Sequence, residues 1–170
     1  MLKNTLILAS IILLLVTVTA VVRAATSSVP APIQAVMTPY LQIHDALAKD
    51  SLNGVSTAAT SLSKAAKVDK MFPSELSDEA RTLAQAKDLA SARTAFKPLS
   101  ETLIKVLGDN QVSPKTYTEA YCPMEKAHWL QTGTSVSNPF GASMATCGSI
   151  VSGNVAPAAT TCPMGGGCCN

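Results

Sequence analysis

The sequence predicts an all-α fold: a small up-down bundle of three to four helices, with a long C-terminal Cys/Met loop packed on it. Three observations lead there. Apolar residues recur at spacings of three and four between positions 36 and 107, the period of one helix face. Many of the remaining helical positions are Ala, which suits close antiparallel packing of short helices. All five cysteines fall between positions 122 and 169, outside the periodic body, so they serve a C-terminal device rather than staple the bundle.

The chain divides into four stretches. Residues 1–24, "MLKNTLILASIILLLVTVTAVVRA", place Lys3 before an apolar run from Leu6 to Val22 and end in Val22-Arg23-Ala24. That is the layout of a secretory signal peptide, cleaved at about Ala24. An uncleaved anchor is the alternative, because a run of about 17 residues lies near the lower limit for crossing a bilayer. No cysteine directly follows the run, which argues against a lipid anchor. Residues 25–32, "ATSSVPAP", form a linker, residues 33–150 the folded domain, and residues 151–170 a low-complexity Cys/Gly-rich tail. Export implies a periplasmic or secreted protein, in contact with a membrane only if the signal segment is retained.

Charge narrows the partners. Cleavage removes two of the 13 basic residues, Lys3 and Arg23, and leaves 11 against 11 acidic ones. A balanced mature chain has no electrostatic footprint for nucleic acid and no polybasic patch for a lipid surface.

Within the domain, Val36, Tyr40, Ile43 and Leu47 form the first stripe, and Pro39 sets the expected helix start close to Thr38. Leu52, Val55, Ala59, Leu62 and Ala66 form the second, with Asn53-Gly54 weakening its first turn. Pro73 marks a loop. A third helix is expected from Ser74 or Ser77, with acids in its first turn as the helix dipole favours. Leu83, Ala86, Leu89, Ala92 and Phe96 continue the period, and Leu99, Leu103, Val106 and Leu107 carry it to a stop at Gly108-Asp109-Asn110. Two readings stay open there: Asp88 divides two helices, or one long helix kinks at Pro98. Beyond Asn110 the Pro, Gly and Asn punctuation reads as a long ordered loop with room for short β pieces. Trp129, Leu130, Pro139 and Phe140 are its expected apolar underside.

The chemistry concentrates in "YCPMEKAHWLQ" at 121–131 and "SMATCG" at 143–148. Cys122 and Met124 lie two apart around a proline, and Met144 and Cys147 lie three apart, a spacing that converges in a helical turn. Thiolate and thioether are soft donors, suited to Cu(I) rather than to hard cations. A Cys2Met2 site is sterically reasonable, and a Cys122–Cys147 disulfide with two ordinary packing methionines stands beside it on equal terms. His44 falls off the first stripe and is read as solvated. His128 is read as an exposed loop residue, with a further ligand as the alternative. In the tail, Cys162, Met164, Cys168 and Cys169 resemble a second, flexible soft-metal site, since the intervening glycines allow the sulfurs to converge.

Three blocks resemble the DUF3347 family: "YLQIHDALAKDSL" at 40–52, "ARTAFKPLSETLIKVL" at 92–107 and "YCPMEKAHWLQTGTSVSNPFGASMATCG" at 121–148. The resemblance implies an exported helical domain, found alone or appended to periplasmic adaptor subunits of copper and silver efflux systems. It implies heavy-metal handling, with Cys122, Met124, Met144 and Cys147 as ligands. Phe140-Gly141 and the His128 before Trp129 depart from the family's pattern without removing a candidate ligand.

The expected function is therefore a non-catalytic protein that binds Cu(I), or Ag(I), for heavy-metal resistance and sequesters it or hands it to an efflux adaptor. A thiol–disulfide protein using Cys122 and Cys147 is an alternative, although no Cys-x-x-Cys or βαβ pattern surrounds them. A structural or interaction bundle with a pinned loop is the other. No triad, phosphate loop or paired carboxylates point to an enzyme, and methionine is a poor ligand for zinc.

Overall fold

The structure, a computed structural model, describes residues 29–112 and 116–152. The signal segment and the tail cysteines Cys162, Cys168 and Cys169, with Met164, lie outside the described residues. Four helices are followed by a small antiparallel sheet. Helix α1 spans Ala31–Ala48, α2 Val55–Ala66, α3 Ser74–Ala84 and α4 Leu89–Asp109. Strands β1 (Thr118–Cys122) and β2 (Ala127–Gln131) form a hairpin, and β3 (Ser149–Ser152) returns to the other side of β1, giving the order β2-β1-β3. The expected all-α class is thus corrected: the domain is mostly helical, but its C-terminal part is a three-stranded sheet rather than a long loop. Among the described residues no helix is long and apolar enough to cross a membrane.

Helix starts show where local signals compete. Helix α1 begins well before Thr38, capped by Pro30 with a second proline in its first turn, where a missing N–H costs nothing. Pro39 therefore sits inside the helix and leaves the Ala35 carbonyl without its helical donor. The helix tolerates this because Ile33, Val36, Met37, Tyr40, Ile43 and Leu47 are all fully buried on either side of it. Gly54 opens α2 with φ +79°, a conformation cheap only for glycine. Asp88 settles the open question between α3 and α4. Its carboxylate accepts the Ser91 N–H at 2.7 Å, and its own N–H reaches the Ser91 hydroxyl at 3.3 Å, a reciprocal cap. Pro98 is carried within α4.

Each helix packs most extensively on its neighbour in sequence, and β2 lies against α4 and α1. In β1 the residues facing the helices, Thr118, Ala120 and Cys122, are buried, while Glu119 and Tyr121 between them are half-buried. That period of two marks a sheet with one face on a core. Trp129, Leu130, Pro139 and Phe140 are buried as the apolar underside predicts. The Trp129 and Phe140 rings meet edge-on at 6.0 Å, and Phe96 of α4 lies 6.2 Å from Phe140.

Tyr40 joins helices to sheet. Its ring stacks on Phe96 at 5.1 Å, and its hydroxyl lies 2.8 Å from the Ser100 Oγ while accepting the Leu130 N–H at 3.0 Å. Burial pushes this phenol well above the ordinary tyrosine range, against the opposing effect of the two hydrogen bonds. The unfolded chain releases the proton near pH 10 and the folded one only at higher pH. Stability is therefore complete below about pH 10 and falls above it by about 1.4 kcal/mol per pH unit for this group. Tyr40→Phe is expected to cost about 1–2 kcal/mol at pH 7, by leaving the Leu130 N–H and Ser100 hydroxyl short of a partner. It should also flatten the loss of stability between pH 10 and 11. Urea unfolding at pH 7, 10 and 11 checks both.

Candidate metal centre

The two mirrored sequence pieces meet through the sheet. Cys122 ends β1 opposite Ala127 of β2. On its other side, the pairing of Tyr121 with Ser149 of β3 carries Cys147-Gly148 to the same end of the strand. The result is a Cys122 Sγ to Cys147 Sγ separation of 3.3 Å, with the two residues 0% and 3% exposed.

Gly148 makes this approach achievable. Its φ is +131°, and a Cβ there would stand 2.8 Å from the Tyr121 carbonyl oxygen and 3.0 Å from Cη2 of Trp129. Any side chain would push the second cysteine segment away from the first. Asn138, fully buried, holds the same segment from within. Its side-chain amide donates to the Cys147 carbonyl at 2.8 Å, its side-chain oxygen accepts the Phe140 N–H at 2.8 Å, and its own N–H donates to Ala145 at 2.9 Å. Cys147 N–H donates to the Met144 carbonyl at 2.8 Å, so Met144 and Cys147 share one turn, as their spacing predicts.

The methionines occupy different environments. Met144 ends the short 3₁₀ turn Ala142–Met144, half-buried against the core, with its methyl carbon folded over Gly141. Met124 stands in the β1–β2 turn and is 65% exposed. The structure therefore gathers the two cysteines into one buried pair and leaves Met124 at the solvent edge, two residues along the chain.

The rest of the segment is tied to the helices by polar contacts. Arg93 of α4 donates from Nε to the Pro139 carbonyl at 2.9 Å and from Nη2 to the Leu47 carbonyl at 3.0 Å, and it pairs with Asp50. Asp50 also accepts the Ala142 N–H at 3.2 Å. Lys97, one turn further on, donates to both the carbonyl and the carboxylate of Glu125, at 3.0 and 2.8 Å.

His44 corrects the expectation of a solvated side chain: it is 2% exposed, with Nδ1 2.9 Å from the Asp45 carboxylate and Nε2 2.9 Å from the Ser137 carbonyl. The first stripe is flanked by a second face of α1 that the Ser137–Pro139 segment covers, and His44 lies on it. His128 is a strand residue. Its Nδ1 lies 2.7 Å from the Glu119 carboxylate and its ring 4.5 Å from that of Tyr121, so it serves the outer face of the sheet. Gln131 also escaped the sequence reading. Its side-chain oxygen accepts from Trp129 Nε1 and the Ser137 N–H, each at 3.0 Å, and its amide donates to Ser135 at 2.6 Å.

The Cys122–Cys147 sulfur separation lies close to the one that two sulfurs sharing a single soft ion would have. Among the described residues no three of His, Cys, Asp and Glu converge on one point, so the donors at hand are the sulfurs. At metal–sulfur bonds of about 2.3 Å, two sulfurs in tetrahedral array lie about 3.8 Å apart. The pair would open by roughly half an ångström to share an ion in that array. A disulfide needs about 2.0 Å, so the 3.3 Å contact is not that bond. Cys122 is a free thiol, whereas Cys147 is disulfide-bonded. Use of both sulfurs for a metal therefore requires reduction first.

A family model described as a protein of unknown function, DUF3347, matches residues 36–115. The match takes in the four helices from the second turn of α1 onward and stops ahead of β1, so Cys122, Met124, Met144 and Cys147 lie beyond it. No curated protein and no solved structure matches the chain. Over residues 36–115, the helical body on which the paired cysteines are mounted, the chain is similar to the DUF3347 family.

Proposed function

We propose that the protein is an exported, non-catalytic carrier of a soft monovalent ion, Cu(I) or Ag(I), that sequesters the ion or passes it to a periplasmic efflux adaptor. The observation that supports this most directly is the buried Cys122–Cys147 sulfur contact at 3.3 Å, with a methionine two residues after Cys122 and another three before Cys147 along the chain. Two thiolates supply the strong donors, and thioethers from Met124 and Met144 raise the coordination number. Exchange among two, three and four sulfurs lets the ion move to another thiol-rich site without passing through water. Zinc is a poorer fit, because only two of the four candidate donors are groups it favours.

The test is a competition titration of the reduced mature protein with a Cu(I) chelator, with residues 151–170 present and absent. About one tightly held ion without the tail is the expected result. Changing Met124 and Met144 together to leucine is expected to weaken Cu(I) binding by at least about tenfold, about 1.4 kcal/mol, with stability little changed because the swaps conserve volume. An unchanged affinity in the double variant would sink the four-sulfur site.

The free Cys122 beside a disulfide-bonded Cys147 favours a second reading, a thiol–disulfide protein. Failure of the tail-less reduced form to bind Cu(I), with a Cys122–Cys147 bond found by mass after oxidation, would select it. A bundle whose Cys122–Cys147 link serves only as a clasp predicts the same bond with no exchange toward other thiols.

A further inference from the structure

Helix α4 carries two cations one turn apart, Arg93 and Lys97, and both point at the sulfur-bearing segments rather than at solvent carboxylates alone. Arg93 holds the Pro139 carbonyl, upstream of Met144 and Cys147. Lys97 reaches both halves at once. Its ammonium donates to the Glu125 carbonyl and carboxylate in the turn that bears Met124, and it sits 5.4 Å from the ring centroid of Phe140, at the head of the other half. Met124 lies between buried Cys122 and Lys97-bound Glu125, while its own side chain is mostly in water. Little apolar packing holds it in place. Its location therefore depends on what fixes the backbone of the turn on each side.

We propose that Lys97 is a positioning residue that holds the Met124 turn against Phe140, so that the Met124 thioether stays within reach of the cysteine pair. The proposal deepens the soft-metal reading and rests on it for the consequence at the metal, but not for the position of the turn. With Lys97 in place, the hairpin turn and the Phe140 segment share one ammonium, and a fourth sulfur joins Cys122, Cys147 and Met144 at little entropic cost. Without it, the strand ends are what anchors the turn among the described residues, and the ion is left to Cys122, Cys147 and Met144. Among the described residues Lys97 contacts Glu125 and the Phe140 ring rather than a sulfur, so its effect on Met124 runs through Glu125 and the backbone.

The experiment compares the wild type with Lys97→Leu and Lys97→Arg. Lys97→Leu keeps an apolar contact to Phe140, removes the charge and adds no sulfur, and Lys97→Arg restores a donor to Glu125. Far-UV circular dichroism and thermal unfolding verify that each variant folds. The first readout uses no metal: methionine-methyl ¹³C NMR of the reduced protein, assigned through Met124→Leu. The Met124 resonance is expected to sharpen and shift toward its unfolded position in Lys97→Leu and to return in Lys97→Arg, while Met144 stays unchanged. An unaltered Met124 resonance in folded Lys97→Leu overturns the proposal whatever the protein binds. The second readout is Cu(I) chelator competition. It is expected to show a loss of about tenfold in Lys97→Leu, no further loss when Met124→Leu is added, and recovery in Lys97→Arg. Additive losses from Lys97→Leu and Met124→Leu would overturn the link between them. If the wild type binds no Cu(I) while Met124 still responds to Lys97, the carrier reading falls and the positioning role stands.

Discussion

Gly148→Ala is expected to lower stability by about 2–4 kcal/mol, enough to reduce the melting temperature by about 10 °C in a domain of this size. Two costs add. A φ of +131° is strained for any residue with a Cβ, at about 1–3 kcal/mol. The new methyl would also meet the Tyr121 carbonyl oxygen at 2.8 Å and Trp129 at 3.0 Å, and neither can retreat easily. Tyr121 is paired on both sides in the sheet, and Trp129 is fully buried. The cheapest response is for Cys147-Gly148 to move out from β1, which widens the sulfur contact. Gly148→Ala should therefore couple a thermal loss to weaker Cu(I) binding or slower Cys122–Cys147 bonding. Differential scanning calorimetry with thiol quantification checks this, and a melting temperature within a degree or two of wild type would show that the close approach is not needed.

Asn138→Leu is expected to cost about 2–4 kcal/mol for a different reason. Leucine keeps the branched outline of asparagine with bulkier methyl ends, but leaves the Cys147 carbonyl and the Phe140 N–H without their side-chain partner inside the protein. A buried group stranded in this way costs about 1–3 kcal/mol, and two are stranded here. Asn138→Asp tests the geometry more finely, since it keeps the acceptor for Phe140 but replaces the donor to Cys147 with an oxygen facing a carbonyl. Both variants should unfold at lower urea concentration with an unchanged m-value. A shift below about 0.5 kcal/mol in Asn138→Leu would mean that water reaches these groups.

The helical body was largely legible because its signals are local. The stripe through Val36, Tyr40, Ile43 and Leu47 is buried throughout, and the Asp88 cap was present among the open alternatives. Pro39 misled because first-turn placement is its common use, whereas Pro30 and Pro32 already occupied that role and packing held the helix past it. The sheet was harder to see. Its strands are four or five residues long, with a period of two too brief to outweigh the surrounding Pro, Gly and Asn, and strand preference depends on the neighbours a strand finds. The final strand finds its partner across about thirty residues, and nothing in its own composition names that partner.

For the candidate site, the sequence by itself determined the donor types, their segregation from the helical body and the turn shared by Met144 and Cys147, since these depend on residue identity and near-neighbour spacing. Only the tertiary structure decided that Cys122 and Cys147 touch, that Met124 stays at the solvent edge, and that His44 is buried beneath Ser137. Those outcomes follow from hydrogen bonds and close contacts between distant segments: Asn138 to Cys147, Gly148 against Tyr121, Lys97 to Glu125. Each becomes favourable only once the helices have supplied a surface on which both partners are already held.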